Sequence, residues 1–497
     1  MFDNLRARTG SQSQVSAAPE SVWDVIIVGA GVLGCLVASA LARYRLQVLL
    51  IEREIDLGMG VSAGNSAVIH AGYDPVQGSL KARTNLAGNA LWGDLARDLD
   101  IPFQRCGSLV VAMDSAGLPR LRELFGRGTE NGVAGLRIVF QPELGVLEPA
   151  LNPAAYAGLW APSAGIIDPF AACLATAELA ALNGVHFRFE TELVGLTRNG
   201  PKLTALTTAG AFETRFLVNC AGLESAAVMS MADPEQTFRI VPRRGEYLLT
   251  DQTGPQPRRI LFPIPNINSK GILVTPTTHG NTLLGPNATP VSDKADNSTT
   301  ASGLAEVLAG GHKLVPGIAA KSVIAQYSGL RASGSSRDFI LAWSPTLAGV
   351  LNLAGIDSPG FAAAPALALE AVGLLRSAGL PADQRPDFIA SRRAIPRFAL
   401  LDAAARQELA DQDRAWSRIV CRCELVTEAE VLAALHSPIP ARSYDGIKRR
   451  TWLGTSRCQG AFDLPRVIEL ICRETGCPPE AVTKRGGASA FISGRTR

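Results

Sequence analysis

His70 is one of five histidines in this chain and sits in a run of small residues, Ser62-Ala63-Gly64-Asn65-Ser66-Ala67-Val68-Ile69-His70-Ala71-Gly72-Tyr73-Asp74. An imidazole titrates near neutral pH, so beside a bound ligand it can accept the proton of a hydroxyl group. The ordinary alternative is a structural histidine hydrogen-bonded within its loop. Lys270 and Arg331 stand near glycines, in Lys270-Gly271 and Gly329-Leu330-Arg331. A lysine offers an anion a point charge and an arginine offers a planar fork, and the alternative for each is a surface cation. A further group lies near the C-terminus, where Cys421-Arg422-Cys423 is followed by Cys458 and then Asp463. Cysteines gathered there, in a chain without a secreted framework, point to metal or redox chemistry.

Elements must hold these groups. Val25-Ile26-Ile27-Val28 reads as a buried strand, Gly29-Ala30-Gly31-Val32-Leu33-Gly34 as the turn after it, and Cys35 to Tyr44 as a helix. A second strand, Gln47 to Ile51, ends at Glu52 and Arg53. In such a βαβ unit Gly29 makes the tight turn, Gly31 lets the backbone approach a pyrophosphate, and Gly34 lets helix and strand pack closely. The helix N-terminus holds phosphates, and Glu52 is placed for ribose hydroxyls. Val25 to Ala42 carries no charge and has the length of a membrane-span candidate. Three glycines in the fingerprint spacing and an immediate second strand argue against a span. Phe216 to Gly222 and Val350 to Gly355 read as further buried strands whose C-terminal ends open on a ligand crevice.

A length of 497 residues exceeds one core and predicts two or three domains. The net charge of +3, with both signs interspersed, gives no reason to invoke nucleic acid. Met1 to Pro19 is polar and lacks an apolar stretch, so it reads as a leader rather than a secretory signal, and a cytoplasmic location is expected. Arg239 to Gly285 alternates apolar and polar residues between turn signals, which predicts a β-rich insertion. Helical patterns occupy Ala90 to Leu99 and Ala171 to Leu182. The expected fold is α/β: a Rossmann-like nucleotide domain over residues 21–380 after a leader at 1–20. Its substrate region falls largely at 86–150 and 236–320, followed by a linker at 381–415 and a small, mostly helical module at 416–497.

The fingerprint, the His70 loop and Gly78-Ser79-Leu80-Lys81-Ala82-Arg83 together resemble the D-amino-acid-oxidase superfamily of FAD enzymes. The nearest resemblance is to its bacterial glycerol-3-phosphate dehydrogenase/oxidase and L-2-hydroxyglutarate oxidase branch. Ala164-Gly165-Ile166-Ile167-Asp168-Pro169, Pro242-Arg243-Arg244-Gly245-Glu246-Tyr247 and Gly355-Ile356-Asp357-Ser358-Pro359-Gly360 continue it in the same order. It implies bound FAD, contacted by Gly29, Gly31, Gly34, Glu52, Arg53, Asn65, Ser66, Gly222, Gly355, Ser358 and Gly360. It also implies His70 as base, with Lys270 and Arg331 binding a small acidic or phosphorylated alcohol. Lys81 and Arg83 are expected to organise the loop or the FAD phosphates. Only one dinucleotide fingerprint is present, so electrons enter from an organic substrate rather than a nicotinamide, and leave to an unidentified acceptor or a partner subunit. A helix starting at Gly360 would stabilise negative charge on the reduced flavin.

The C-terminal module resembles bacterioferritin-associated-ferredoxin-type [2Fe-2S] domains, which use Cys-x-Cys, a long spacer and Cys-x4-Cys. Here Cys421, Cys423 and Cys458 match and Asp463 stands at the fourth position. Two readings of Asp463 follow. Its carboxylate is a hard fourth ligand, or it is the N-cap of the helix beginning Leu464-Pro465. Thr427 and Glu430 form a capping-box pattern for the preceding helix.

Overall fold

The strand Trp23–Val28 lies between Val48–Ile51 and Gly210–Asn219, parallel to both. Val25, Ile26, Ile27 and the whole of Val48–Ile51 are buried, as expected for a parallel sheet covered on both faces. Register brings Val28 level with Ile51 and Asn219, and Asn219 level with Asn352 of the strand Val350–Ala354. The C-terminal ends of these strands therefore finish along one edge. There the buried Asn219 amide donates to the Asn352 side chain at 3.0 Å and to the Ser225 carbonyl at 2.9 Å. The computed structural model describes residues 22–265 and 270–494, so the leader expected at 1–20 lies outside the described residues.

The helices Val32–Leu41, Pro169–Leu182 and Gly360–Ser377 fill one core with this sheet. Gly360–Ser377 is the single helix among the described residues long and apolar enough to cross a membrane, and its apolar side belongs to that core. The helix Leu80–Asp98 joins the same layer. Trp92 stacks on Phe361 at 5.6 Å and donates to the Phe361 carbonyl at 3.0 Å. Residues 86–98 thus correct the expected substrate region: small residues such as Gly88 and Ala362 let this helix lie close against Gly360–Ser377.

A second, nine-stranded and mostly antiparallel sheet draws its strands from residues 108–161 and 240–334. Its longest pair, Ile240–Thr250 with Val323–Gly334, sets Arg243 opposite Arg331 and Tyr247 opposite Tyr327. A three-stranded sheet of Val68–Ile69, Phe103–Gln104 and Gly165–Ile167 sits between the layers and carries the residues leading into His70.

The connection at 381–415 contains the helix Ala403–Gln412 and is held to the nucleotide domain. Arg392 pairs with Glu178 at 2.9 Å where both are buried, and Asn183 donates to the Ile389 carbonyl. The C-terminal module has its own core, a small hairpin of Ile419–Cys421 and Val426–Thr427, and three helices, Glu428–Leu435, Tyr444–Thr451 and Leu464–Thr475. The Thr427 and Glu430 capping box forms as its spacing predicts.

Candidate active site

The fingerprint turn folds as its glycines require. Gly29 adopts φ +101°, and a Cβ there would come within 2.7 Å of the Cys220 carbonyl oxygen. A Cβ on Gly34 would run into the Gly29 carbonyl, so close helix–strand packing depends on it. The helix Val32–Leu41 has no capping bond from its N-cap residue and no acidic residue in its first turn; Ser62 takes the Val32 N–H at 3.0 Å, and the positive end of the helix suits a phosphate. Glu52 accepts from the Ala30 N–H at 2.7 Å and the Glu54 N–H at 3.0 Å. Burial raises its pKa, and those two N–H groups oppose the shift. Arg53 pairs with Glu54 and Glu224 at the rim.

A cavity of about 620 Å³ runs from this turn to the second sheet. Apart from Gly34, which packs behind it, every residue expected to touch the cofactor lines this space, and so do His70, Lys270 and Arg331. The Asn65 side chain is occupied by its own loop: it donates to the Ser62 carbonyl and accepts from the Ala67 N–H, holding Ala67 at φ +56°. Asn65 thereby shapes the wall, while Ser66 lies beside Tyr247 on the same cavity. Gly360–Ser377 presents its first turn to the cavity without a side-chain cap. A long dinucleotide fits this arrangement: a glycine cradle and positive helix end for the phosphates, a buried acid for the ribose, and a second helix end for a ring that gains charge.

Three groups meet where that ring would lie. Lys270 donates to the Ser358 hydroxyl at 3.3 Å, and the same hydroxyl lies 3.3 Å from His70 Nε2. Ser358 can accept from Lys270 and donate its own proton to the imidazole, and in that tautomer Nε2 carries the lone pair that a base needs. Burial and the Lys270 charge hold the His70 pKa well below the usual histidine value, against the pull of Asp74. His70 is therefore neutral at neutral pH, the form a base needs. Arg331 donates to the Asn287 carbonyl at 3.0 Å and has no carboxylate within ion-pair distance among the described residues.

Several contributors were not assigned from sequence. Asp74 pairs with Lys270 at 3.0 Å, and Lys270 in turn lowers the Asp74 pKa. Asn85 and Asn89 both donate to the His70 carbonyl, at 3.0 and 2.9 Å. Their spacing of four residues on one helix face was the available signal. Lys81 pairs with Asp357 at 2.7 Å and Arg83 with Glu370 at 3.0 Å, so both organise protein rather than phosphate.

At the C-terminal site Cys423 Sγ lies 3.6 Å from Cys458 Sγ. Cys421 and Asp463 are buried beside each other, and Asp463 accepts from the Tyr444 hydroxyl at 2.6 Å. Asp463 makes no side-chain N-cap bond, and its own backbone is helical at φ −95°, ψ −21°. This corrects the N-cap reading: the carboxylate turns inward to Tyr444, away from the N–H groups of the next turn.

Residues 24–374 match the family described as FAD dependent oxidoreductase. A glycerol 3-phosphate dehydrogenase of Caloramator mitchellensis is 38% identical over 477 residues, covering 96% of this chain and 99% of that protein. The mitochondrial L-2-hydroxyglutarate dehydrogenase of Caenorhabditis elegans is 33% identical over 300 residues, covering 58% of this chain and 68% of that protein. Among solved structures, the dithionite-reduced L-alpha-glycerophosphate oxidase of Mycoplasma pneumoniae with FAD bound superposes with a TM-score of 0.71 at 30% identity. It covers 75% of this chain and 98% of its own. Fingerprint, cavity and these matches agree, and the chain belongs to the FAD-dependent oxidoreductase family.

Proposed function

We propose that this enzyme oxidises the secondary alcohol of glycerol 3-phosphate to the ketone, with His70 as the base. The observation that carries the reading is Arg331, a guanidinium without a carboxylate partner among the described residues, facing the same cavity as a neutral, buried His70. When bound, FAD supplies the acceptor for the hydride that leaves the carbinol carbon. His70 Nε2 takes the hydroxyl proton, replacing its contact with Ser358. Arg331 holds the phosphate by charge-assisted hydrogen bonds. Lys270 is paired with Asp74, whereas Arg331 and Arg243, opposite each other on neighbouring strands, line the cavity without a carboxylate partner among the described residues, which supports an anionic substrate. The name of the 38% identical relative supports this choice.

The second reading, a 2-hydroxy dicarboxylate such as L-2-hydroxyglutarate, needs cations at both ends and is supported by the shorter match to the Caenorhabditis elegans protein. Electrons leave through the C-terminal module. A cavity of about 1480 Å³ has Trp452, Thr455 and Gln459 on one wall and the loop of Gly64, Asn65, Ser66 and Ala67 on the other. The segment carrying Cys458 thus faces the loop that borders the flavin site. A carrier or partner subunit would take electrons at the exposed Cys423.

The test is anaerobic mixing of the FAD-loaded enzyme with glycerol 3-phosphate, L-2-hydroxyglutarate and glycerol. Bleaching of the flavin absorbance by glycerol 3-phosphate alone is expected. Bleaching by L-2-hydroxyglutarate alone would replace this reading with the second.

A further inference from the structure

Asp463 is a buried carboxylate with half of its hydrogen-bonding capacity unused. Its side chain sits in a residue only 1% exposed. Oδ1 takes the Tyr444 hydroxyl, and Oδ2 has no hydrogen-bond partner. An unpaired carboxylate oxygen away from water is costly unless a cation or donor meets it. We propose that Oδ2 is the fourth protein ligand of a [2Fe-2S] cluster, completing Cys421, Cys423 and Cys458, and that Tyr444 holds the carboxylate in place for it. The proposal is independent of the substrate assignment.

The four groups arrive as two pairs. Cys423 and Cys458 are 3.6 Å apart at sulfur. A disulfide would need about 2.05 Å, whereas two thiolates bonded at about 2.3 Å to one tetrahedral metal stand roughly 3.8 Å apart. The second pair is Cys421 with Asp463. Two irons bridged by sulfide need two protein ligands each, and this arrangement provides a pair for each.

The surroundings are built for this geometry. The Cys421 sulfur lies beside the backbone N–H groups of Gly454 and Glu424, groups of the kind that hold and tune cluster thiolates. Gly454 and Gly460 are both at positive φ, and a Cβ on either would strike the Tyr444 hydroxyl. The chain has therefore kept the room that lets Tyr444 reach Asp463. A carboxylate preserves the charge of the thiolate it replaces but is a harder donor, so the cluster should be held less firmly than by four cysteines.

The full chain, loaded with FAD, would be reconstituted anaerobically with ferrous iron and sulfide. Iron, acid-labile sulfide and zinc would be counted per chain, and the dithionite-reduced protein examined by electron paramagnetic resonance. Flavin content serves as the folding control. Two irons and two sulfides per chain are expected, with a cluster signal. Asp463→Ala should retain FAD but lose most of the iron. Asp463→Cys should retain two irons, change the signal and slow iron loss in air several-fold. Tyr444→Phe should bind iron and lose it several-fold faster than the unmodified chain. Equal iron content and an identical signal in Asp463→Ala would overturn the proposal. So would a reconstituted chain holding zinc, no metal, or a Cys423–Cys458 disulfide in place of the cluster.

Discussion

Arg450 meets Asp56 through two hydrogen bonds, of 2.7 and 3.0 Å, at a point where both side chains are 2% exposed. The same two terminal nitrogens also donate to the Gly446 and Ile439 carbonyls, while Nε is left without a partner. This bidentate pair joins the C-terminal module to the segment that follows Glu52, and Arg457 pairs with Asp251 of the second sheet. The cysteine-bearing loop is thereby fixed relative to the flavin site.

Removing one member of a fully buried pair strands the other charge, at a cost of about 3–5 kcal/mol. Arg450→Met should accordingly lower the thermal midpoint and expose the 381–415 connection to limited proteolysis. The double variant Asp56→Leu with Arg450→Met should recover much of the lost stability. An unchanged midpoint in the single variant would show that the pair does not secure the module.

Gly34 supports FAD binding through packing alone. A methyl group there forces the helix Val32–Leu41 away from the Gly29 carbonyl and disturbs the phosphate cradle. Gly34→Ala should purify with little flavin absorbance per chain and bind added FAD at least ~10-fold more weakly, a loss of about 1.4 kcal/mol. Full flavin occupancy would contradict the assigned role.

The acid limb of kcat/KM reports the base in the free enzyme. His70 has its pKa depressed first by burial and then by Lys270, so the wild-type rate should persist well below pH 6.5 and fall only in more acid solution. Lys270→Met removes a cause of that depression and leaves Asp74, which pulls the other way. The acid limb should then move to higher pH. A limb that stays in place, or moves further into acid, would show that Lys270 does not act on the base.

Arg331→Ala should raise KM for glycerol 3-phosphate about 10-fold or more, the scale of a lost charge-assisted hydrogen bond, with a smaller change in kcat. Loss of kcat at unchanged KM would place Arg331 in the chemical step instead.

The nucleotide half of the fold was legible because its signals are local. Three glycines, two apolar strands and Glu52 lie within one short stretch, and each enforces backbone geometry by itself. The His70 loop and the strand ends at Gly222 and Gly355 were legible for the same reason. Asp74 was not assigned, because its partner Lys270 is distant in sequence and only the fold brings them together. Asp463 shows the opposite failure. An aspartate before Leu-Pro is a strong local cap signal, but the buried Tyr444 hydroxyl outweighs it and the backbone N–H groups go without that carboxylate. Residues 86–98 went to the wrong region because a helical pattern does not say which sheet it covers, a choice decided by Trp92 against Phe361.

The most direct test of the central claim is the anaerobic rate of flavin reduction by glycerol 3-phosphate, measured by stopped flow for the wild type and His70→Asn. Asparagine keeps a polar group beside Ser358 but cannot take the substrate proton. The variant should hold FAD fully and reduce it roughly 10²-fold or more slowly at saturating substrate, the scale of a lost general base. A variant that reduces its flavin at the wild-type rate would contradict the account and remove His70 from the chemistry.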